Sequence, residues 1–200
     1  AEARVLGLDY RLAPEFPFPA PIDDSVAAYR WLLSQGVNPK KIVIGGDSAG
    51  GGLMVAVLVA LKYLGEPMPA AGVGISSWTD MEATGQSFVT NAEVDPSVNR
   101  DRILTIAKLY MADKDHSAPL ASPIHADLTG LPPLLLQVGS IETLLDDTNV
   151  LAQRAKAAGV QVEVDVWDDM PHVWHHYAPI LPEAREAIGR IGEFIKEHTG

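Results

Sequence analysis

Residues Ile42 to Gly65 read IVIGGDSAGGGLMVAVLVALKYLG, and they leave the chain few ways to fold. Ile42 to Gly46 is short, apolar and β-branched, which reads as a buried strand. A long apolar run to Leu64 has the look of a helix, stopped by Gly65 and Pro67. The two are joined by Gly46-Asp47-Ser48-Ala49-Gly50, a junction with no residue to spare. A chain that sets a serine at so sharp a corner, between glycines, asks for a reason.

The sequence around that corner alternates strand and helix. Val5 to Asp9 reads as a strand entering Tyr10-Arg11-Leu12-Ala13-Pro14-Glu15. Prolines at 14, 17, 19 and 21 forbid regular structure until Asp23 and Asp24, which suit the first turn of a helix. That helix should run to about Gln35, with Gly36 ending it. Strands are expected over Ala71 to Ser76, Leu134 to Gly139 and Gln161 to Trp167. Helices are expected over Thr148 to Ala158 and Glu183 to Glu197. This alternation predicts an α/β fold, a mainly parallel sheet with helices on both faces. Residues 81–123 break the rhythm: they are loop-rich, with one helix expected from Arg100 to Met111, and read as a cap-like insertion over the sheet.

Composition removes several classes of function. The 200 residues suit one domain with a substantial core, and 47% hydrophobic with 20% charged residues is ordinary for a globular protein. A formal charge of −11 argues against nucleic-acid binding, since phosphate contacts need a basic face. Without cysteine there is no disulfide framework and no thiol nucleophile. The longest apolar stretch, Leu53 to Leu61, is too short to span a bilayer. The expected compartment is the cytoplasm.

Strand, Gly-x-Ser-x-Gly, helix is the pattern of a nucleophile elbow. Strained dihedrals at the turn lift the Ser48 hydroxyl clear of the sheet, and Gly46 and Gly50 are expected because a Cβ at either would collide with a neighbour. The turn also aims the Ala49 N–H at the place where a carbonyl oxygen becomes negative. A phosphate-binding turn is the alternative, but neither G-x-x-x-x-G-K-[ST] nor G-x-G-x-x-G is present. Serine needs a base to take its proton and an acid to hold that base. In open α/β sheets such groups gather at the carboxyl ends of the strands. Of six histidines, His172 alone lies in the loop just after a clear strand. His172, His175 and His176 could instead be metal ligands, without the glutamate motif that usually goes with them. For the acid, Glu142 is the first carboxylate beyond the Leu134 to Gly139 strand; Asp146, at a helix start, and Asp80 are the other candidates.

Asp9-Tyr10-Arg11-Leu12-Ala13-Pro14-Glu15, Gly46-Asp47-Ser48-Ala49-Gly50-Gly51, Leu131-Pro132-Pro133 and Met170-Pro171-His172, in this order, resemble the bacterial hormone-sensitive-lipase-like esterases of the α/β-hydrolase superfamily. The resemblance implies Ser48 as nucleophile and His172 as base. Its acid-x-Leu-x-Asp motif is matched by Glu142-Thr143-Leu144-Leu145-Asp146, which assigns the acid to Glu142, where the family more often has aspartate. The family also carries a His-Gly-Gly-Gly segment ahead of these motifs, whose N–H groups complete the oxyanion hole. The chain is therefore expected to be the C-terminal portion of a longer protein, with the N-terminal strands and part of the cap absent. Tyr10, Arg11 and Glu15 are expected to form a buried polar cluster beside the site.

The expected function is a serine carboxylesterase acting on short-acyl esters through an acyl-enzyme, with no metal and no organic cofactor. The alternatives are an amidase, thioesterase or lactonase on the same three residues, or a small-molecule receptor on a hydrolase fold, which the presence of His172 disfavours. Trp78, Met81, Phe88 and Trp174 are the candidate pocket residues, with Met111 and Tyr177 behind them. The expected partner is a small-molecule ester; a homodimer is compatible with this reading.

Overall fold

Four parallel strands, β1 (Val43–Asp47), β2 (Ala71–Ile75), β3 (Leu134–Gly139) and β4 (Val162–Trp167), lie side by side in chain order in the computed structural model, which describes residues 2–200. The register pairs Val43 with Ala71, Gly72 with Leu134 and Leu134 with Val162. Because the strands are parallel and consecutive, their carboxyl ends all open on one side of the sheet. Each strand therefore delivers whatever follows it to the same place.

Alternation along β3 shows how both faces are covered. Leu134 and Leu136 pack with Met54, Val55, Leu58 and Val59 of helix α2 (Ala49–Tyr63) and with Leu151 and Ala155 of helix α5 (Leu145–Ala157). Leu135 points the other way and meets Ala71, Val73 and Phe194 of helix α6 (Pro182–Thr199). Helix α1 (Ala20–Ser34) packs through Ile22, Val26 and Tyr29 onto the outer side of α2. α2 is thus enclosed on two sides, which is why it is apolar nearly all round. The expected α/β architecture, helices on both faces of a parallel sheet, is the one observed.

Three boundaries differ from expectation, each for a physical reason. Val5 to Asp9 is not a strand: it pairs with nothing among the described residues, and Val5 is 92% exposed. A strand exists only with a partner for its N–H and C=O groups, and an apolar pattern cannot supply one. Helix α1 begins at Ala20, ahead of Asp23, because Pro21 falls in the first turn, where no N–H is needed. Helix α5 begins at Leu145, which puts Asp146 and Asp147 in its first turn. Residues 81–123 hold a short helix, α3 (Ser87–Thr90), and a longer one, α4 (Arg100–Met111), which the Asn99 side chain caps by accepting from Arg102 N–H at 3.0 Å. They have a small core of their own: Met81, Phe88, Ile103, Ala107 and Met111 pack on Trp78 and Leu144 near the carboxyl ends of β2 and β3.

Candidate active site

Ser48 is the first residue past β1, and it sits at φ 54°, ψ −119°, where an L-residue is strained. Its neighbours over-determine that turn. The Ser48 N–H donates to Ile75 O at 2.8 Å, and its carbonyl accepts from Trp78 N–H at 3.0 Å and Gly51 N–H at 3.0 Å. α2 can start this close to the sheet only because certain Cβ atoms are missing. A Cβ on Gly46 would lie 2.2 Å from Gly50 O, and one on Gly52 would lie 1.9 Å from Trp78 O. Gly50 is a correction, since a Cβ there meets nothing within 4 Å. The glycines that the second flank requires are the next two, Gly51, where a Cβ would lie 2.3 Å from Ser77 Oγ, and Gly52. As the first residue of α2, Ala49 has an N–H with no intrahelical acceptor.

His172 arrives from the other end of the sheet. The loop after β4 crosses so closely over β3 that a Cβ on Gly139 would lie 1.8 Å from Met170 O. The crossing sets His172 Nε2 2.9 Å from Ser48 Oγ. His172 Nδ1 is 2.9 Å from Glu142 Oε2, and the Glu142 side chain is fully buried. The other Glu142 oxygen, Oε1, accepts from Gly139 N–H at 2.6 Å and from the Ser76 hydroxyl at 2.7 Å. The backbone of the Glu142 loop is held from above by residues 81–123: Asn91 Nδ2 donates to Ser140 O and Glu142 O, and Asp95 Oδ2 accepts from Thr143 N–H at 2.8 Å.

The competing acids are engaged elsewhere. Asp146 accepts from Ser87 N–H at 2.8 Å, joining α5 to α3. Asp80 accepts from Glu82 N–H, Thr84 N–H and the Thr84 hydroxyl. Asp147, beside Asp146 in the first turn of α5, is buried and accepts from Thr79 N–H at 2.7 Å and Asp80 N–H at 3.0 Å. Burial pushes its carboxyl up to about 7, against the pull of those N–H donors and with a further push from the Asp80 charge. His175 is buried beside Trp174, with Nε2 2.8 Å from Gln137 Oε1. Burial holds its imidazole down at about 4, with His176 adding to the effect and Asp47 opposing it. The three histidines do not converge as metal ligands. Among the described residues the one such convergence is Asp80, Glu82 and His125, within 4.8 Å of one another, and Asp80 is already occupied by its three donors.

Beside Ala49 opens an apolar cavity of about 360 Å³, lined by Tyr10, Leu12, Leu53, Trp78, Met81 and Tyr110 among others. Trp78 and Met81 are therefore in the lining, and Phe88 and Trp174 are not. Phe88 is buried in the core of residues 81–123, and Trp174 is fully buried against Ala184 and Ala187 of α6. Met111 is likewise core, and Tyr177 is exposed. Tyr10 and Tyr110 were missed as lining residues; burial raises both phenols, so both line the cavity in neutral form. No buried cluster forms from Tyr10, Arg11 and Glu15: Arg11 and Glu15 are exposed, and Arg11 pairs with Asp24 at 2.7 Å. Ser76 was also missed. The expected strand over Ala71 to Ser76 took it in as a strand residue, whereas β2 (Ala71–Ile75) ends one position earlier and leaves Ser76 as the first residue past its carboxyl end.

A serine, a histidine and a buried carboxylate joined by hydrogen bonds above a parallel sheet are the arrangement of the α/β-hydrolase fold. The description "alpha/beta hydrolase fold" matches residues 1–176. The chain belongs to that family, in its bacterial hormone-sensitive-lipase-like branch. An acetyl-hydrolase of Streptomyces hygroscopicus is 50% identical over 200 residues, covering 100% of this chain and 67% of its own length. An esterase of Acinetobacter venetianus is 37% identical, with 96% of this chain and 64% of its own length covered. A crystal structure of an esterase from the bacterial hormone-sensitive lipase family superposes with a TM-score of 0.96 at 68% identity, covering 97% of this chain and 65% of that one. EstE5, in a crystal soaked with p-nitrophenyl butyrate, gives 0.93 at 53% identity, covering 96% and 64%. The chain spans about two thirds of the length of the relatives it matches. None of its described helices is long and apolar enough to cross a membrane.

Proposed function

We propose that this chain carries the catalytic residues of a serine carboxylesterase acting on short-acyl esters. The carrying observation is the unbroken path Ser48 Oγ–His172 Nε2, His172 Nδ1–Glu142 Oε2, each step 2.9 Å. Glu142 Oε2 acts as an acceptor, so Nδ1 carries the ring proton and the Nε2 lone pair faces Ser48. His172 takes the serine proton as Oγ attacks the ester carbonyl, and Glu142 stabilises the imidazolium that forms. The tetrahedral oxyanion faces the Ala49 N–H. His172 then protonates the leaving alcohol, and water repeats the sequence to release the acid. The names of the relatives, acetyl-hydrolase and esterase, support this reading, as does a relative soaked with a butyrate ester. The apolar cavity beside Ala49 suits a compact hydrocarbon group, and residues 81–123 act as a partial cap over it.

The test is a panel of p-nitrophenyl esters of graded acyl length on the complete protein, with Ser48→Ala as control. Butyrate should turn over faster than palmitate, and Ser48→Ala should lose on the order of 10⁴ to 10⁶ in kcat. Faster turnover of the C16 ester refutes the short-acyl reading, and an active Ser48→Ala variant refutes the mechanism.

A further inference from the structure

We infer that Ser76 is a positioning residue, a single hydroxyl that sets the acid and the loop of the base against each other. The inference rests on the roles proposed for Ser48, His172 and Glu142. Ser76 is the first residue past β2, the strand between β1, which Ser48 follows directly, and β3, which ends three residues before Glu142. It is fully buried. Its Oγ is 2.7 Å from Glu142 Oε1 and 3.1 Å from Val173 N, the residue after His172. A hydroxyl has one proton to give and lone pairs to receive with. The carboxylate can only accept and the Val173 N–H can only donate, so both contacts are satisfied at once and in one orientation.

The consequence falls on the geometry of the base. With Oε1 claimed by Ser76 and by Gly139 N–H, the Glu142 carboxylate cannot rotate, and Oε2 stays aimed at His172 Nδ1. The same hydroxyl anchors the backbone immediately after His172, where Val173 takes φ 50°. Ser76 itself sits at φ 48°, which an L-residue adopts at a cost. A position chosen for packing alone would favour glycine there. Instead the chain keeps a side chain, and both of its hydrogen bonds go to the acid and the base loop.

The experiment compares wild type, Ser76→Ala, Ser76→Cys and Ser48→Ala of the complete protein, by kcat and KM and by the far-downfield proton resonance of His172 Nδ1–H. That resonance is assigned by its disappearance in Glu142→Gln. Ser76→Ala should lower kcat about 10- to 100-fold, the worth of one hydrogen bond to a charged group, with KM unchanged. The resonance should shift or broaden. Ser76→Cys, with a weak S–H donor of similar size, should fall between alanine and wild type in both readouts, and it serves if the alanine variant does not fold. A Ser76→Ala variant with kcat within twofold of wild type, or an unmoved resonance, overturns the inference while an inactive Ser48→Ala leaves the esterase reading standing. An active Ser48→Ala overturns both.

Discussion

Replacing Glu142 with glutamine changes one atom and should remove most of the activity. The buried carboxylate accepts from three donors: Ser76 O–H and Gly139 N–H on Oε1, and His172 Nδ1–H on Oε2. An amide has one acceptor and one donor group to offer. If its oxygen stays with Ser76 and Gly139, its NH₂ faces His172 Nδ1 and selects the tautomer whose proton sits on Nε2, pointing at Ser48. The base is then gone. If the amide flips, its NH₂ meets the Gly139 N–H, which cannot turn away, and two donors are buried against each other. Either arrangement is costly, and the first costs about 10⁴ in kcat, equivalent to roughly 5.4 kcal/mol of lost transition-state stabilisation. Asp146→Asn keeps an oxygen for Ser87 N–H and loses only the charge at the start of α5, about 0.3–1 kcal/mol of stability. The assay is p-nitrophenyl butyrate hydrolysis by the two variants, with thermal melts to show that both are folded. Equal losses, or the larger loss in Asp146→Asn, would refute the assignment of the acid.

Gly52→Ala should lower Tm by roughly 2–12 °C, from an overpacking cost of about 1–3 kcal/mol, because its Cβ would lie 1.9 Å from the backbone oxygen of Trp78. Gly50→Ala, in open space on the same helix, should leave Tm unchanged or raise it; the reverse order in a melt contradicts the packing described for α2. His175 titrates near 4 in the fold and near 6.5 when unfolded, so the native state binds fewer protons between those values. Its contribution is complete above pH 6.5 and is lost as pH falls to about 4. Asp147, raised from 3.8 to about 7, acts in the opposite sense over much of that range, losing stability as pH rises. The informative quantity is therefore the difference between wild type and His175→Gln in denaturation midpoints at pH 7 and pH 4.5. The variant should lose less on acidification than wild type, and an equal or greater loss contradicts the buried neutral imidazole.

Ser48, Glu142 and His172 could be brought to one place from sequence because parallel strands share a carboxyl end, and each residue follows its strand within a few positions. The elbow was legible for the same reason: a strand and a helix with only glycine and small residues between them leave one kind of turn. Features that depend on distances between elements were not legible. Gly50 and Gly52 look alike in sequence, and only the approach of Trp78 O to α2 separates them. Phe88 and Trp174 are as apolar as Trp78 and Met81, yet the first pair is enclosed by residues 81–123 and α6, while the second faces the cavity. Val5 to Asp9 has the pattern of a strand but, among the described residues, no neighbour to pair with. Pro19 and Pro21 were read as breakers, although a helix start tolerates proline.

The central claim is that Ser48 is the nucleophile, activated by His172. The most direct measurement is stoichiometric labelling of the complete protein with an organophosphate, followed by mass-spectrometric mapping of the modified peptide. The account predicts one adduct per chain, on Ser48, formed far more slowly in His172→Ala and Glu142→Gln and absent in Ser48→Ala. An adduct on any other serine with Ser48 untouched, or labelling at an undiminished rate without His172, would contradict it.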